Sequence, residues 1–218
     1  AALEASYDRD WIRFKFSAVY ASGDHDTTDR RATGFDSILD NTNFTGGPFS
    51  YYVRQGFNLG GTAVGLKQRF SLLPDLRTSK TEGQQNFVNP GLALAGLGAD
   101  MEVTPRLRAF ANANYLRFAA TDPIKTAQHR RRQCDHHEGQ GETDAELGVD
   151  LSLGLQWRPL LTDNIVISAG YGALLPGRGF RDIFRHTDPA VPGFTPAGTS
   201  PAVDPFLYSA ILAVVLTY

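Results

Sequence analysis

Three features of the sequence predict an all-β chain that forms a transmembrane, antiparallel, up-and-down β-barrel. Apolar residues recur at every second position through successive segments; the connections between those segments come in two sizes that alternate along the chain; and the last segment, residues 205–218, carries aromatic residues at both ends of its apolar face. Composition is neutral on the point. A chain of 218 residues, 42% hydrophobic and 20% charged with a formal net charge of −2, suits a globular domain as well as a barrel whose apolar exterior is offset by a polar interior. No apolar run approaches the ~20 residues that a membrane-crossing helix needs, so any spanning structure is built from strands. Cys134 is the single cysteine, which leaves no disulfide framework and no paired-cysteine motif for a metal or covalent haem.

Taken in order, the first strand is a stub, Leu3, Ala5 and Tyr7, that ends at the tight turn Asp8-Arg-Asp10. Beyond it Ile12, Phe14, Phe16, Ala18 and Tyr20 alternate with Arg13, Lys15, Ser17 and Val19. Residues 91–103 and 106–118 form the next pair across a turn containing Pro105, whose fixed φ suits a tight reversal. In these arms Ala95, Leu97, Ala99 and Met101 oppose Gly96, Gly98, Asp100 and Glu102, and Ala109, Ala111, Ala113 and Tyr115 oppose Arg108, Phe110, Asn112 and Asn114. The cleanest alternation is Leu147, Val149, Leu151, Leu153, Leu155 and Trp157 against Gly148, Asp150, Ser152, Gly154, Gln156 and Arg158. After the turn at 159–163, Ile165, Ile167, Ala169, Tyr171, Ala173 and Leu175 continue it as a hairpin. The last strand turns Phe206, Tyr208, Ala210, Leu212, Val214, Leu216 and Tyr218 to one side. Taken alone, that strand also reads as a buried edge strand of a soluble sandwich.

Loop sorting separates the two readings. Short turns at 8–10, 104–105 and 159–163 alternate with long polar stretches at 23–89, 119–144 and 176–204. A membrane barrel has short periplasmic turns and long extracellular loops, whereas a soluble sandwich has no reason to sort its loops by length onto opposite ends. The expected unit is a single barrel domain over 1–218. Strand parity then makes both the first and the last strand run toward the short turns. Seven strands so arranged do not close, so the expectation is the C-terminal part of a larger barrel of about 16–18 strands, its N-terminal part absent or on another chain. Within 23–89 two readings stay open: a loop folded into the lumen with a short helix near 62–73, or an extra hairpin at 49–59 and 62–72, since Phe49-Ser-Tyr-Tyr-Val-Arg54 has strand character. Gly60, Gly61, Gly65 and Pro74 favour the loop.

Five motifs occur in a telling order: Gly34-Phe-Asp-Ser-Ile-Leu-Asp40, Ser71-Leu-Leu-Pro-Asp-Leu-Arg77, Asn86-Phe-Val-Asn-Pro-Gly91, Trp157-Arg-Pro-Leu-Leu161 and Leu175-Pro-Gly-Arg-Gly-Phe180. In this order they resemble the C-terminal half of the alginate export family of outer-membrane porins, over most of residues 15–218. The resemblance implies a monomeric barrel of about eighteen strands in the outer membrane of a Gram-negative bacterium. It also implies a lumen lined with Arg and Lys that passes an anionic polysaccharide.

The residues themselves offer pore-lining candidates. Arg13, Lys15, Arg108 and Arg158 lie on faces assigned to the lumen, and Arg54, Lys67, Arg69 and Arg77 lie in the 23–89 connection. A positive lumen between low-dielectric walls concentrates anions, and Arg holds carboxylates in a bidentate way while still releasing them. Alternatively these charges pair with Asp100, Glu102, Asp150 and other acids and simply solvate the interior. Cys134, His136 and His137 are the strongest metal candidates, although as part of the run His129–Glu138 they read equally as a solvated loop that touches lipopolysaccharide phosphates through Arg130, Arg131 and Arg132. Asp24, Asp26, Asp29, Asp36 and Asp40 form a weak Ca²⁺ signal without EF-hand spacing. No catalytic motif is present, and no cofactor or nucleic-acid partner is expected. The expectation is a passive channel for anionic solutes or oligosaccharides, in contact with outer-membrane lipid and lipopolysaccharide. The competing expectation is a barrel sleeve or scaffold that holds a periplasmic partner, such as a cytochrome in an electron conduit.

Overall fold

The computed structural model describes residues 1–26, 29, 31, 33–35, 49–54, 90–125, 143–161, 164–185 and 206–217. Seven strands, β1 (Ala2–Arg9), β2 (Ile12–Ala21), β3 (Leu92–Thr104), β4 (Leu107–Arg117), β5 (Glu146–Trp157), β6 (Ile165–Pro176) and β7 (Leu207–Leu216), make one antiparallel sheet. Each strand pairs only with its neighbours in sequence. Among the described residues the sheet is accompanied by α1 (Tyr51–Arg54), α2 (Arg178–Arg185) and a helical turn at 122–125. Among the described residues no helix is long and apolar enough to cross a membrane.

The turns follow from local chemistry. Arg9 pairs with Ile12 across a loop of only Asp10 and Trp11, and Asp10 takes a φ of 50°, a left-handed conformation that Asp tolerates through its short polar side chain. The expected stub is therefore a full strand that reaches Arg9. Thr104 pairs with Leu107 around Pro105 and Arg106. The Arg158 N–H donates to the Arg106 carbonyl at 2.8 Å, tying the second and third short turns together. At the other ends, α2 occupies part of the stretch read as a polar connection. The first strand of the possible hairpin at 49–59 is replaced over 51–54 by α1; the remainder of that hairpin, the possible helix at 62–73 and Tyr218 lie outside the described residues.

Register carries the alternation across the whole sheet. One row of directly paired residues runs Tyr7, Phe14, Ala99, Ala111, Leu153, Tyr171, Ala210. A neighbouring row on the opposite face runs Lys15, Gly98, Asn112, Ser152, Gly172, Ser209. One face is thus apolar from edge to edge and the other polar through its middle. Exposure is the reverse of a soluble sheet: Leu97 is 67% and Leu212 75% exposed on the apolar face, whereas Asn114 is 2%, Ser152 3% and Asp150 0% exposed on the polar one. In water an antiparallel sheet with one buried face buries its apolar one.

The strands also lean. Relative to the first row above, β2 extends two residues toward the short turns and seven toward the long connections, while β7 extends six and three. That is a drift of four residues over five strand-to-strand steps. With about 3.3 Å of rise per residue and about 4.8 Å between strands, it corresponds to a lean of about 30°.

The apolar core sits on the covered face at the long-connection end. There Leu94, Leu116 and Leu174 replace the polar residues of the mid-sheet rows, and Leu92, Phe118, Ile124, Leu147, Phe180 and Tyr52 pack with them. Each such Leu, Ile or Phe contributes about 1.5–3 kcal/mol by burial, so this end of the face holds the covering segments by the hydrophobic effect.

Gly148 lies beside this core with a φ of +135°, and a Cβ there would come within 2.1 Å of the Leu175 carbonyl oxygen. Gly148→Ala is expected to lower stability by about 1–3 kcal/mol, measured as a lower urea midpoint in detergent micelles. An unchanged midpoint would show that the strand relaxes to an ordinary backbone.

Candidate functional site

The covered polar face is the site that the strands build. Its floor is made of side chains too small to protrude: Ser17, Gly96, Gly98, Ser152, Gly154, Gly170, Gly172 and Ser209, interleaved with Asn112 and Asn114. Period two puts all of these on one side because each occupies an alternate position in its strand.

Onto this floor comes the segment Phe49–Arg54, from the connection between β2 and β3. Gly154 and Gly170 are directly paired across β5 and β6, and a Cβ on either would fall 2.0 Å from the Phe49 ring. The two glycines therefore form a socket in which the ring lies against bare backbone. On its other side the ring meets Phe110, with centroids 5.9 Å apart and the planes tilted by 50°. A Cβ on Gly172, the next same-face residue along β6, would sit 2.5 Å from the Phe49 carbonyl oxygen, so the chain itself follows the strand closely.

Asp150 holds the next residues. The Ser50 hydroxyl and the Tyr52 N–H both donate to its Oδ2 at 2.7 Å, a short arrangement entirely out of solvent. Tyr52 then enters the apolar core at the long-connection end, while Tyr51 packs at its margin. Burial pushes the Tyr51 phenol above its usual range, so it stays neutral, and Arg54 is the formal charge of this segment.

The expected pore-lining cations divide into three groups. Arg13, Lys15 and Arg108 do stand on the polar face, each beside a carboxylate: Arg13 with Asp8, Lys15 with Asp100 at 2.6 Å, and Arg108 with Glu102. Glu4 and Asp150 also belong to this face, so its three cations meet five carboxylates and the described wall is not positive. Arg158 follows β5 at the short-turn end, where its backbone joins the turns rather than the mid-wall. Arg54 ends α1, with its side chain outside the described atoms, and Lys67, Arg69 and Arg77 lie outside the described residues.

The metal candidates Cys134, His136 and His137, and Arg130 to Arg132 beside them, also lie outside the described residues. Of the acidic group, Asp24 Oδ1 accepts from the Thr33 hydroxyl at 3.2 Å and the Asp26 N–H at 3.3 Å, and Asp29 accepts from the Arg31 N–H at 2.7 Å. These are loop-shaping bonds, and among the described residues no three His, Cys, Asp or Glu side chains gather as a metal site.

Sequence reasoning placed Asp150 on the correct face but considered it only among the acids that could neutralise the Arg and Lys residues of that face, and it did not single out Phe49, Ser50 or the glycine socket as a site. The signal was present in Gly154, Gly170 and Gly172, because glycine at successive same-face positions of neighbouring strands marks a close approach of another backbone or ring. No protein-family model matches this chain, and no curated protein or solved structure matches it.

Phe49 and its socket are expected to behave as one unit. Phe49→Ala should cost about 3–5 kcal/mol and Gly170→Val about 1–3 kcal/mol by overpacking. Combined, they should cost less than their separate effects together by roughly 0.5–3 kcal/mol, because the added methyls enter the space the ring leaves. Denaturant unfolding of the four proteins tests this, and additive losses would separate Phe49 from Gly170.

Proposed function

We propose that the chain is wall of an outer-membrane β-barrel channel that passes anionic solutes or oligosaccharides by passive diffusion, as its resemblance to the alginate export porins implies. The observation that carries this reading is the inverted burial: seven adjacent strands turn an unbroken apolar face outward and a polar face toward covering segments. Hydrocarbon outside and an aqueous lumen inside account for both faces at once.

Further geometry supports it. Six of the strands have 10–13 residues, against the about 9–11 that a tilted strand needs to cross hydrocarbon. The lean of about 30° approaches the about 35–45° of closed membrane barrels. Exposed aromatics stand toward both ends of the apolar face, Trp11 and Trp157 near the short turns and Tyr20, Tyr115 and Tyr208 near the long connections, where interfacial girdles lie. β1 and β7 run in the same direction, so an antiparallel barrel that contains this wall holds an odd number of strands besides these seven.

On this reading the paired wall charges contribute little selectivity. Arg13, Lys15 and Arg108 are each offset by a neighbouring acid. Preference for anions therefore rests on Arg54, Lys67, Arg69 and Arg77 of the β2–β3 connection, whose charge a narrow, low-dielectric lumen would focus on a passing carboxylate.

In planar bilayers under a salt gradient, the reversal potential should show anion preference. Neutralising Arg54, Lys67, Arg69 and Arg77 together to Gln should abolish it, whereas Arg13→Gln and Arg108→Gln should change it little; cation preference in the parent protein would overturn the reading. The lipid-facing assignment has its own test. Leu153→Arg, mid-strand on the apolar face, should cost about 2–4 kcal/mol in folding into phospholipid vesicles. Ser6→Arg on the opposite face should cost far less, and equal costs would contradict the assignment.

A further inference from the structure

We infer that Phe49–Tyr52 is a fixed constriction segment and that Asp150 is the positioning residue that holds it on the β5–β6 wall. This rests on the channel reading and adds to it the device that sets the bore: a buried carboxylate that no solute touches decides how far the connection intrudes.

Three attachments of different kinds meet within four residues. Phe49 is seated in the Gly154–Gly170 socket, Ser50 and the Tyr52 N–H share Asp150 Oδ2 at 2.7 Å each, and the Tyr52 ring joins the apolar core with Leu174 and Phe180. A segment held only at one end would swing; one held at both ends and in the middle stays where it is. The wall is also shaped to receive it, since Gly154, Gly170 and Gly172 contribute no side chain where the segment lies.

Asp150 is reserved for the segment. Among the described residues the ion pairs of this face use Asp8, Asp100 and Glu102, leaving Asp150 to the segment's own donors. Docked, the segment takes Asp150 out of solvent and supplies the Ser50 hydroxyl and the Tyr52 N–H in place of water. Asp150 also fixes the start of α1, the helical turn that ends at Arg54.

The test uses the full chain in planar bilayers. Asp150→Ala should raise single-channel conductance by about two-fold or more and weaken anion preference, as a released constriction does. Asp150→Asn, which keeps an acceptor oxygen, should fall between it and the parent. In a Cys134→Ser background, Ser50→Cys combined with Asp150→Cys puts thiols on two residues whose side chains are in hydrogen-bond contact. Oxidation should then give a disulfide, visible as a gel-mobility difference, with parental conductance, and reduction should raise conductance to the level of Asp150→Ala. Parental conductance in Asp150→Ala, or equal conductance before and after reduction, would overturn the inference. Failure of the cysteines to cross-link in a conducting protein would overturn the docking itself. Efficient cross-linking with no conductance in any variant would overturn the channel reading, and with it the role given to Asp150.

Discussion

Every side chain in this sheet owes its surroundings to one constraint, a period of two kept in phase across six ladders. A slip of one residue in any ladder would move that strand's apolar set to the polar face and its polar set outward. The short loops at 10–11 and 105–106 leave no slack for such a slip. The two irregularities, between Glu102 and Thr104 and between Leu116 and Arg117, fall at strand ends, so the central rows remain aligned. In-phase alternation over seven strands produces one apolar face and an opposite face that is polar through its middle and apolar at the long-connection end.

The polar surface then sets a problem that the rest of the fold solves. Covered polar groups need partners, and the partners come from two sources. Charges on β1 to β4 pair with each other between neighbouring strands, as Lys15 does with Asp100. Asp150 on β5 instead recruits donors from a distant connection. The apolar residues at the long-connection end add a hydrophobic anchor for the same segment, which is how one face can be polar in the middle and still hold its cover. The cations Arg13, Lys15 and Arg108 of this face are each paired with a neighbouring acid.

Strand identity was legible because alternation is local. Residues 12–21, 146–157 and 165–176 announce themselves by period two and by the turns that bound them, and the observed register puts their side chains on the expected faces except at Leu147, which the register shift at Leu116–Arg117 turns from the apolar face into the covered core. Phe49–Arg54 was not legible in the same way. Its aromatic and branched residues have strand character, yet residues 51–54 form a helical turn, because the packing of Phe49 and Tyr52 and the hydrogen bonds of Ser50 and Tyr52 to Asp150 override propensity. α2 was likewise hidden in a stretch whose Gly, Arg and Asp content reads as loop.

The amino-acid sequence by itself determined the strands, their two faces and the sorting of short and long connections, since each depends on neighbours a few positions apart. Only the tertiary structure decided which segment lies on the polar face and which acid meets which donor. Ser50 and Asp150 are separated by 100 positions, and the entropy of closing so long a loop is overcome only when socket, carboxylate and apolar core engage together. No local pattern records that cooperation; it exists once β5 and β6 stand side by side with their glycines aligned.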